Sequence, residues 1–295
     1  MRDVRVLDSN SRDNLPGYDD PLKGAVTMSE HDYISGYSER RFIRFLEGNP
    51  SLLPVLYQNM VYTPGSYVLD AACGSGIQTC YLARMSPDAN FTGMDTSRSS
   101  IIKASKMKKK SKIRNIKFRV GDVFDLPFEE ETFDHVIFSF GLEYVKNPER
   151  AVRELKRVLR QGGTIALISG DLGSCVFWPE TSDSLDLWDA MLRAHEFQGG
   201  DSSAGRKIYP LLHQTGFRFI HVTPATVYID ANDPELREGF LTRTMIPMVQ
   251  EMKPRMLALG LIHETNCNGG IQDFIATSEA LGTFVFTFFR GTGIK

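Results

Sequence analysis

The chain has 295 residues, 42% of them apolar and 24% charged, which are ordinary proportions for a soluble globular protein. The 34 Lys and Arg against 36 Asp and Glu leave a net charge of −2, which excludes a globally basic nucleic-acid binder. No apolar run approaches the ~18 residues of a membrane-crossing helix, the first residues are charged with no apolar signal segment, and Cys73, Cys80, Cys175 and Cys267 form no Cys-x-x-Cys pair. These features predict a cytoplasmic protein with no metal site, no membrane association and no nucleic-acid partner, built as two domains or one large α/β domain.

Residues 1–30 are polar and carry Pro16, Gly17, Pro21 and Gly24, so the first ~25 read as a loose arm. From Glu30 to Met60 apolar residues recur at three-to-four spacing, and Gly48-Asn49-Pro50 divides the segment into two helices. Tyr67–Asp70 is a short apolar strand. Strands follow at Phe91–Met94, Ile116–Val120, His135–Phe140 and Thr164–Ser169, alternating with helices at Gln78–Met85, Ser97–Lys110 and Pro148–Arg160. The last helix has basic residues in its final turn and stops at Gln161-Gly162-Gly163. This βαβα alternation predicts a parallel sheet covered on both faces. Beyond Gly170 the regularity loosens. Residues 172–215 read as helical and irregular, Phe217–Val222 as a strand, 233–262 as helices with Met-rich apolar faces, and Thr283–Phe289 as a final strand. There is no internal repeat, and the Lys run at 106–112 is the one charge block.

The informative stretch is Val68-Leu-Asp-Ala-Ala-Cys-Gly-Ser-Gly76. A buried strand ends at an acid, and a Gly-x-Gly turn then opens a helix. Gly74 and Gly76 lack Cβ, so the backbone turns tightly and can approach a ligand closely. This is a nucleotide-type site at the carboxyl end of the first parallel strand. A dinucleotide fingerprint needs a third glycine where Thr79 stands, and Asp70 would repel a pyrophosphate. No Gly-Lys-Ser/Thr follows, which excludes a phosphate-binding Walker loop. A ligand with an adenosine end and an ammonium end fits best. Asp95 ends the second strand, 25 positions after Asp70 and near the ~20-residue offset of a carboxylate that takes ribose hydroxyls. Asp122 follows the third strand, so three successive strands each deliver a carboxylate to one sheet edge.

Read in order, Asp70-Ala-Ala-Cys-Gly-Ser-Gly76, Gly93-Met-Asp95, Gly121-Asp-Val-Phe-Asp-Leu-Pro-Phe128 and Glu131-Thr-Phe-Asp-His-Val-Ile137 resemble the motifs of class I S-adenosylmethionine-dependent methyltransferases. The similarity is to the small-molecule methyltransferase-domain subgroup, related to the C-methyltransferases of ubiquinone and menaquinone biosynthesis. It covers about 68–170, and Tyr33–Arg40 and Thr287–Gly293 look like flanking elements of that subgroup. The resemblance implies a Rossmann-like, seven-stranded mixed sheet with helices on both faces and a helical cap, its last strand antiparallel beside the fifth. It implies S-adenosylmethionine as cofactor, with Asp70, Gly74 and Gly76 at the methionine end and Ala71 and Ser75 beside them. Asp95 and its neighbour Thr96 would meet the ribose. Gly121 and Asp122 would lie at the adenine amino group, with Val123 beside the ring. Ser139 and Phe140 would border the transferable methyl. Ala72 stands where Gly is commoner and is small enough to fit.

The expected organisation is an arm with cap helices over 1–60, then a methyltransferase domain over 61–295 with cap insertions at about 172–215 and 228–275. Tyr33 and Arg44 lie on the entry helices. They either close over the cofactor or belong to a helix packed on the sheet with Arg44 in solvent, and His31 is a surface histidine or a base. Glu143, just past the fourth strand, is a candidate base or cation-binding group, or a helix-start carboxylate favoured by the dipole. His213 is a candidate base or an ordinary surface histidine. Tyr144, Asp171, Trp178, Arg206 and Tyr209 are the candidate substrate wall. The Lys run reads as a solvated helix end, since no aromatic residue interleaves it, and the Asn-Pro-Pro-Tyr/Phe motif of nucleic-acid amino-methylating enzymes is replaced by Ser139-Phe-Gly-Leu-Glu-Tyr144. The expected reaction is in-line displacement at a sulfonium methyl of a small molecule, with O-, N- and C-methylation all open. A tRNA or protein methyltransferase, a non-catalytic S-adenosylmethionine-binding protein, and homodimerisation stay open as well.

Overall fold

The computed structural model describes residues 49–279 and 281–295. The entry helices expected over 30–47, with His31, Tyr33 and Arg44, fall outside the described residues.

Among the described residues, the strands β1 (Tyr67–Asp70), β2 (Asn90–Asp95), β3 (Ile116–Val120), β4 (Phe133–Ser139), β5 (Leu159–Trp178), β6 (Arg218–Ile229) and β7 (Thr283–Ile294) form one seven-stranded sheet in the order β3-β2-β1-β4-β5-β7-β6. The first five are parallel. β7 enters antiparallel between β5 and β6. Val68 and Leu69 of β1, like Val136 and Ile137 of β4, are buried, as central parallel strands covered on both faces must be. One face packs on α1 (Ile77–Met85), α2 (Arg98–Lys110) and the short helical segment Pro50–Leu56, the other on α3 (Pro148–Val158). Local chemistry sets the starts of these helices. Ser97 accepts the Ser100 amide at 3.0 Å ahead of α2, and Asn147 accepts the Arg150 amide at 3.0 Å ahead of α3, with Pro148 in the first turn.

The last three strands are longer than the sequence pattern predicts, for identifiable reasons. β5 runs on to Trp178 through a bulge between Asp171 and Val176, where Leu172-Gly-Ser-Cys175 reads locally as a loop. β6 continues past Val222 through Thr223-Pro-Ala to Ile229 at the sheet edge, where a proline removes no ladder bond. β7 continues through Arg290-Gly-Thr-Gly293, a turn-like sequence. Its glycines are there for space: a Cβ at Gly291 would collide with Ile208, and one at Gly293 would stand 3.0 Å from Phe217.

The extensions of β5 and β6, with the first residues of β7 between them, project beyond the carboxyl edge of the parallel strands and carry a helical layer. It consists of α4 (Ser182–Phe197), the π-helical segment Arg237–Met245, α6 (Ile246–Ala258) and α7 (Glu264–Ala276). α5 (Ile208–Gln214) lies elsewhere, on the α3 face, where Ile208, Leu211 and Leu212 join that core. Phe284, Phe286 and Phe288 of β7 alternate with half-buried residues, and Phe240 packs on all three at ring distances of 5.5–6.1 Å. Trp188 stacks on Phe274 at 5.4 Å. Aromatic contacts of this kind fasten the layer to the sheet.

Candidate functional site

The acids converge as the register requires. Asp70 ends β1, Asp95 ends β2 and Asp122 follows β3, all at the carboxyl edge. The Gly74 amide donates to Asp95 Oδ2 and the Ser97 amide to Oδ1, both at 2.9 Å, so this carboxylate ties the glycine loop to the start of α2. Gly76 has φ +83°, and a Cβ there would stand 2.8 Å from Ala104 and Phe118. Thr79 does what a third glycine would not: its hydroxyl donates to Asp70 Oδ2 at 2.6 Å. Asp122 accepts the Phe124 amide at 3.0 Å. A cleft of about 30 Å3 opens here, lined by Ala71, Asp95, Thr96, Val123, Phe140 and Tyr144 among others. Ser75 is buried in the glycine loop.

Asp70 is fully buried, and burial pushes its pKa from 3.8 up to about 7, with the Asp95 charge adding to the rise and the Thr79 hydroxyl opposing it. Its Oδ1 has no hydrogen-bond partner among the described residues, and neither do the Tyr57 hydroxyl and the Ser139 hydroxyl, both close enough to influence one another. Three unsatisfied polar atoms around a buried carboxyl are costly unless a ligand completes them. A polar ligand bearing a cation supplies what they lack, so the residues present fit the amino-acid end of S-adenosylmethionine. Tyr57 was not among the expected site residues, because nothing in its local sequence marks it; the fold carries it to the end of β1.

Phe140 divides this cleft from a second, larger cavity. It is a non-glycine residue at φ +56°, a sparsely populated conformation of the kind that collects at functional sites. The second cavity, of about 110 Å3, shares Phe140 and Tyr144 with the cleft. Its floor is Glu143, Gly170, Leu172, Phe286 and Phe288, and its roof is Met191 and His195 of α4 with Met245, Met248 and Met252. Arg243, Thr244 and Glu251 complete it. The π-helical segment supplies part of the roof, and such irregular turns recur at functional sites. Glu143 is 9% exposed. Its Oε1 accepts the Gly170 amide at 2.9 Å, and its Oε2 is buried without a hydrogen-bond partner among the described residues. Burial drives its pKa up to about 7, with the backbone amides and the nearby Ser169 hydroxyl opposing and Asp201 adding to the rise. The Tyr144 ring meets the His195 ring edge-on at 5.9 Å.

Other expected wall residues are placed differently. Asp171 and Arg206 engage each other, Nε to Oδ2 at 2.5 Å and Nη2 to Oδ1 at 2.7 Å, and line neither cavity. A buried carboxylate with a half-exposed guanidinium is a complete bidentate pair and has little left for a substrate. Trp178 is 60% exposed on the far extension of β5, beyond both cavities. Tyr209 and His213 lie on α5 with ring centroids 6.3 Å apart, and both are exposed. Helix α5 starts beside Gly170 and ends where Lys156 binds the Thr215 carbonyl, near the amino end of β5, so His213 is at the wrong edge of the sheet to serve as base. The roof residues His195, Met191 and Met252 escaped prediction, and only Met252 had a visible trace, in the Met-rich faces of 233–262.

Residues 69–167 match the family described as "Methyltransferase domain". An uncharacterized methyltransferase of Schizosaccharomyces pombe is 31% identical over 147 residues, 48% of this chain and 52% of its own length. A demethylmenaquinone methyltransferase of Staphylococcus aureus is 35% identical over 112 residues, 38% of this chain and 46% of its own. The chain thus spans about half the length of the curated relatives it matches. Among solved structures, the YcgJ protein of Bacillus subtilis superposes with a TM-score of 0.53 at 16% identity, over 84% of this chain and 98% of that one. The Haemonchus contortus phosphoethanolamine N-methyltransferase 2 in complex with S-adenosyl-L-methionine gives 0.54 at 16% identity, over 88% and 58%. Motifs, strand order and family match point the same way: residues 69–167 resemble a methyltransferase domain on a seven-stranded mixed sheet.

Proposed function

We propose that the whole chain is an S-adenosylmethionine-dependent methyltransferase acting on a small-molecule acceptor, and that it works in the reducing cytoplasm. The observation that carries this reading is the pair of cavities sharing the Phe140 and Tyr144 wall, one edged by the strand-end acid Asp95 and the other mostly apolar and overhung by helices. Such a wall suits a reaction between two bound molecules. Asp70, Tyr57 and Ser139 would hold the amino-acid end of the cofactor, Asp95 the ribose, and Val123 and Asp122 the adenine. Bound there, the cofactor supplies an electrophilic methyl. Phe140 and the methionine-lined roof exclude water and orient the acceptor, which is where most of the rate gain in a charge-dispersing displacement arises.

Two further features support a small acceptor. The second cavity is a concave pocket lined mostly by apolar side chains of α4, α6 and β7, with the size and chemistry of a small-molecule site, and one relative is named for demethylmenaquinone, a small molecule. No helix among the described residues is long and apolar enough to cross a membrane, and all four cysteines are free thiols, three of them buried, as suits a reducing compartment. The test is incubation with methyl-labelled S-adenosylmethionine and a metabolite extract. Label in a small product is the expected result. Label confined to protein or RNA would replace the small-molecule reading by a macromolecular one.

A further inference from the structure

We propose that Glu143 is the proton acceptor of this site, and that its substrate is an apolar molecule presenting one ionisable hydroxyl to Oε2. This rests on the methyltransferase reading above and adds to it the chemistry of the acceptor.

The geometry is specific. Glu143 is nine-tenths buried, and the Gly170 amide holds Oε1 at 2.9 Å, which fixes the carboxyl plane. Oε2 is left buried and unpartnered among the described residues while the side chain lines the larger cavity. The rest of that lining is mostly thioether, phenyl and aliphatic carbon, from Met191, Met245, Met252, Phe286, Phe288 and Leu172. Flexible methionines accommodate an irregular apolar body, and a buried carboxylate oxygen with only the Ser169 hydroxyl near it still has a lone pair for a substrate donor. A hydroxyl is that donor, and it is also the acceptor chemistry that needs a base, because a neutral O–H is a weak nucleophile. An ammonium would pair with the carboxylate and keep its proton, which leaves no lone pair for attack.

The step balances. The acceptor O–H bond breaks with its electron pair left on oxygen, and the proton passes to Glu143 Oε2. That oxygen pair forms the new O–CH3 bond as the S–CH3 pair withdraws to sulfur, so the sulfonium charge disappears and Glu143 ends the cycle protonated, to lose its proton to water when the cavity opens. Ser169 of β5 and Asp201 in the loop behind it influence the carboxyl directly, and the other polar side chains of the cavity are Tyr144 on its own turn, His195 on α4, Thr244 and Arg243 of the π-helical segment, the latter pairing with Glu238 at 2.9 Å, and Glu251 on α6. Burial brings Glu143 to about 7 in the ligand-free protein. A positive sulfonium bound in the neighbouring cleft would favour the ionised carboxyl, and a neutral thioether would not. The base would then be ionised when methyl donor is bound and protonated once the methyl has gone.

Calorimetric titration of the full chain at pH 7 in buffers of different ionisation enthalpy reads this directly. S-adenosylmethionine binding releases more protons than S-adenosylhomocysteine binding, by about half a proton, and Glu143→Gln abolishes the difference. Equal proton release for the two ligands, or a difference retained in Glu143→Gln, overturns the proposal. Failure of both ligands to bind overturns the cofactor reading instead. A second arm uses 1-naphthol, naphthalene and 1-naphthylmethylammonium as probes of the protein loaded with S-adenosylhomocysteine at pH 8. The expected result is 1-naphthol binding at least tenfold more tightly than naphthalene, with the preference lost in Glu143→Leu. Equal binding of those two probes, or tightest binding of the ammonium, overturns the hydroxyl class.

Discussion

Residues 69–167 and residues 171–295 meet at Phe140 and build their sides of the site from different materials. The first half uses strand ends, backbone amides and acids close together in sequence: the Gly74 amide reaches Asp95, and Thr79 reaches Asp70. The second half uses side chains far apart in sequence, from Leu172 through His195 and Met252 to Phe288, assembled on three overlong strands. A site made of strand ends cannot vary much without loss of the sheet. A site made of methionines and phenylalanines on helices can be reshaped residue by residue. On the proposed reading, cofactor and acceptor would be recognised by physically separable parts.

Mutations on either side of Phe140 should therefore separate, and the largest effect tests that most sharply. Glu143→Gln is expected to lower methyl transfer by 10²–10⁴-fold, the usual contribution of a positioned proton acceptor, with S-adenosylhomocysteine affinity within twofold of wild type by calorimetry. A matching loss of affinity would mean that the two halves are not separable. Asp95→Ala is expected to weaken cofactor binding by about ten- to a hundredfold, corresponding to ~1.5–3 kcal/mol for hydrogen bonds to a charged group. Its loss also frees the Gly74 and Ser97 amides, which acts in the same direction. Unchanged affinity in a folded variant would show that Asp95 does not meet the ligand.

The third expectation concerns pH. The folded pKa of Asp70 is raised to about 7 from 3.8, so between about pH 4 and pH 7 the folded protein binds a proton that the unfolded chain does not. Stability then declines as pH rises through that window, by up to a few kcal/mol at ~1.4 kcal/mol per unit. Denaturation curves of wild type against Asp70→Asn check the sign, since the variant should lose that part of the slope. The smallest effects are expected at the misplaced candidates. Trp178→Ala and His213→Ala should leave transfer within twofold of wild type, and a large loss in either would relocate the acceptor site to the far strand extension or to α5.

The same contrast explains what was legible in the sequence. Asp70, Asp95, Asp122 and the glycine turn could be read because each stands at a strand end, and local pattern determines strand ends in a parallel sheet. The long extensions could not. Their glycines and proline look like turns until Ile208 and Phe217 are seen to press on Gly291 and Gly293. Trp178, Asp171 and Arg206 have the composition of a binding wall, but exposure and mutual pairing are tertiary properties. His195 and the roof methionines read as ordinary helix core, and only the crossing of α4 and α6 over β7 turns them toward a cavity. Tyr57 illustrates the same limit at the cofactor side.

If the cleft beside Asp95 takes S-adenosylmethionine, calorimetric titration of the full chain with S-adenosylhomocysteine gives saturable binding, weakened at least tenfold in Asp95→Ala, and a separate titration with NAD gives negligible binding. Tight NAD binding with no response to S-adenosylhomocysteine would overturn the cofactor reading.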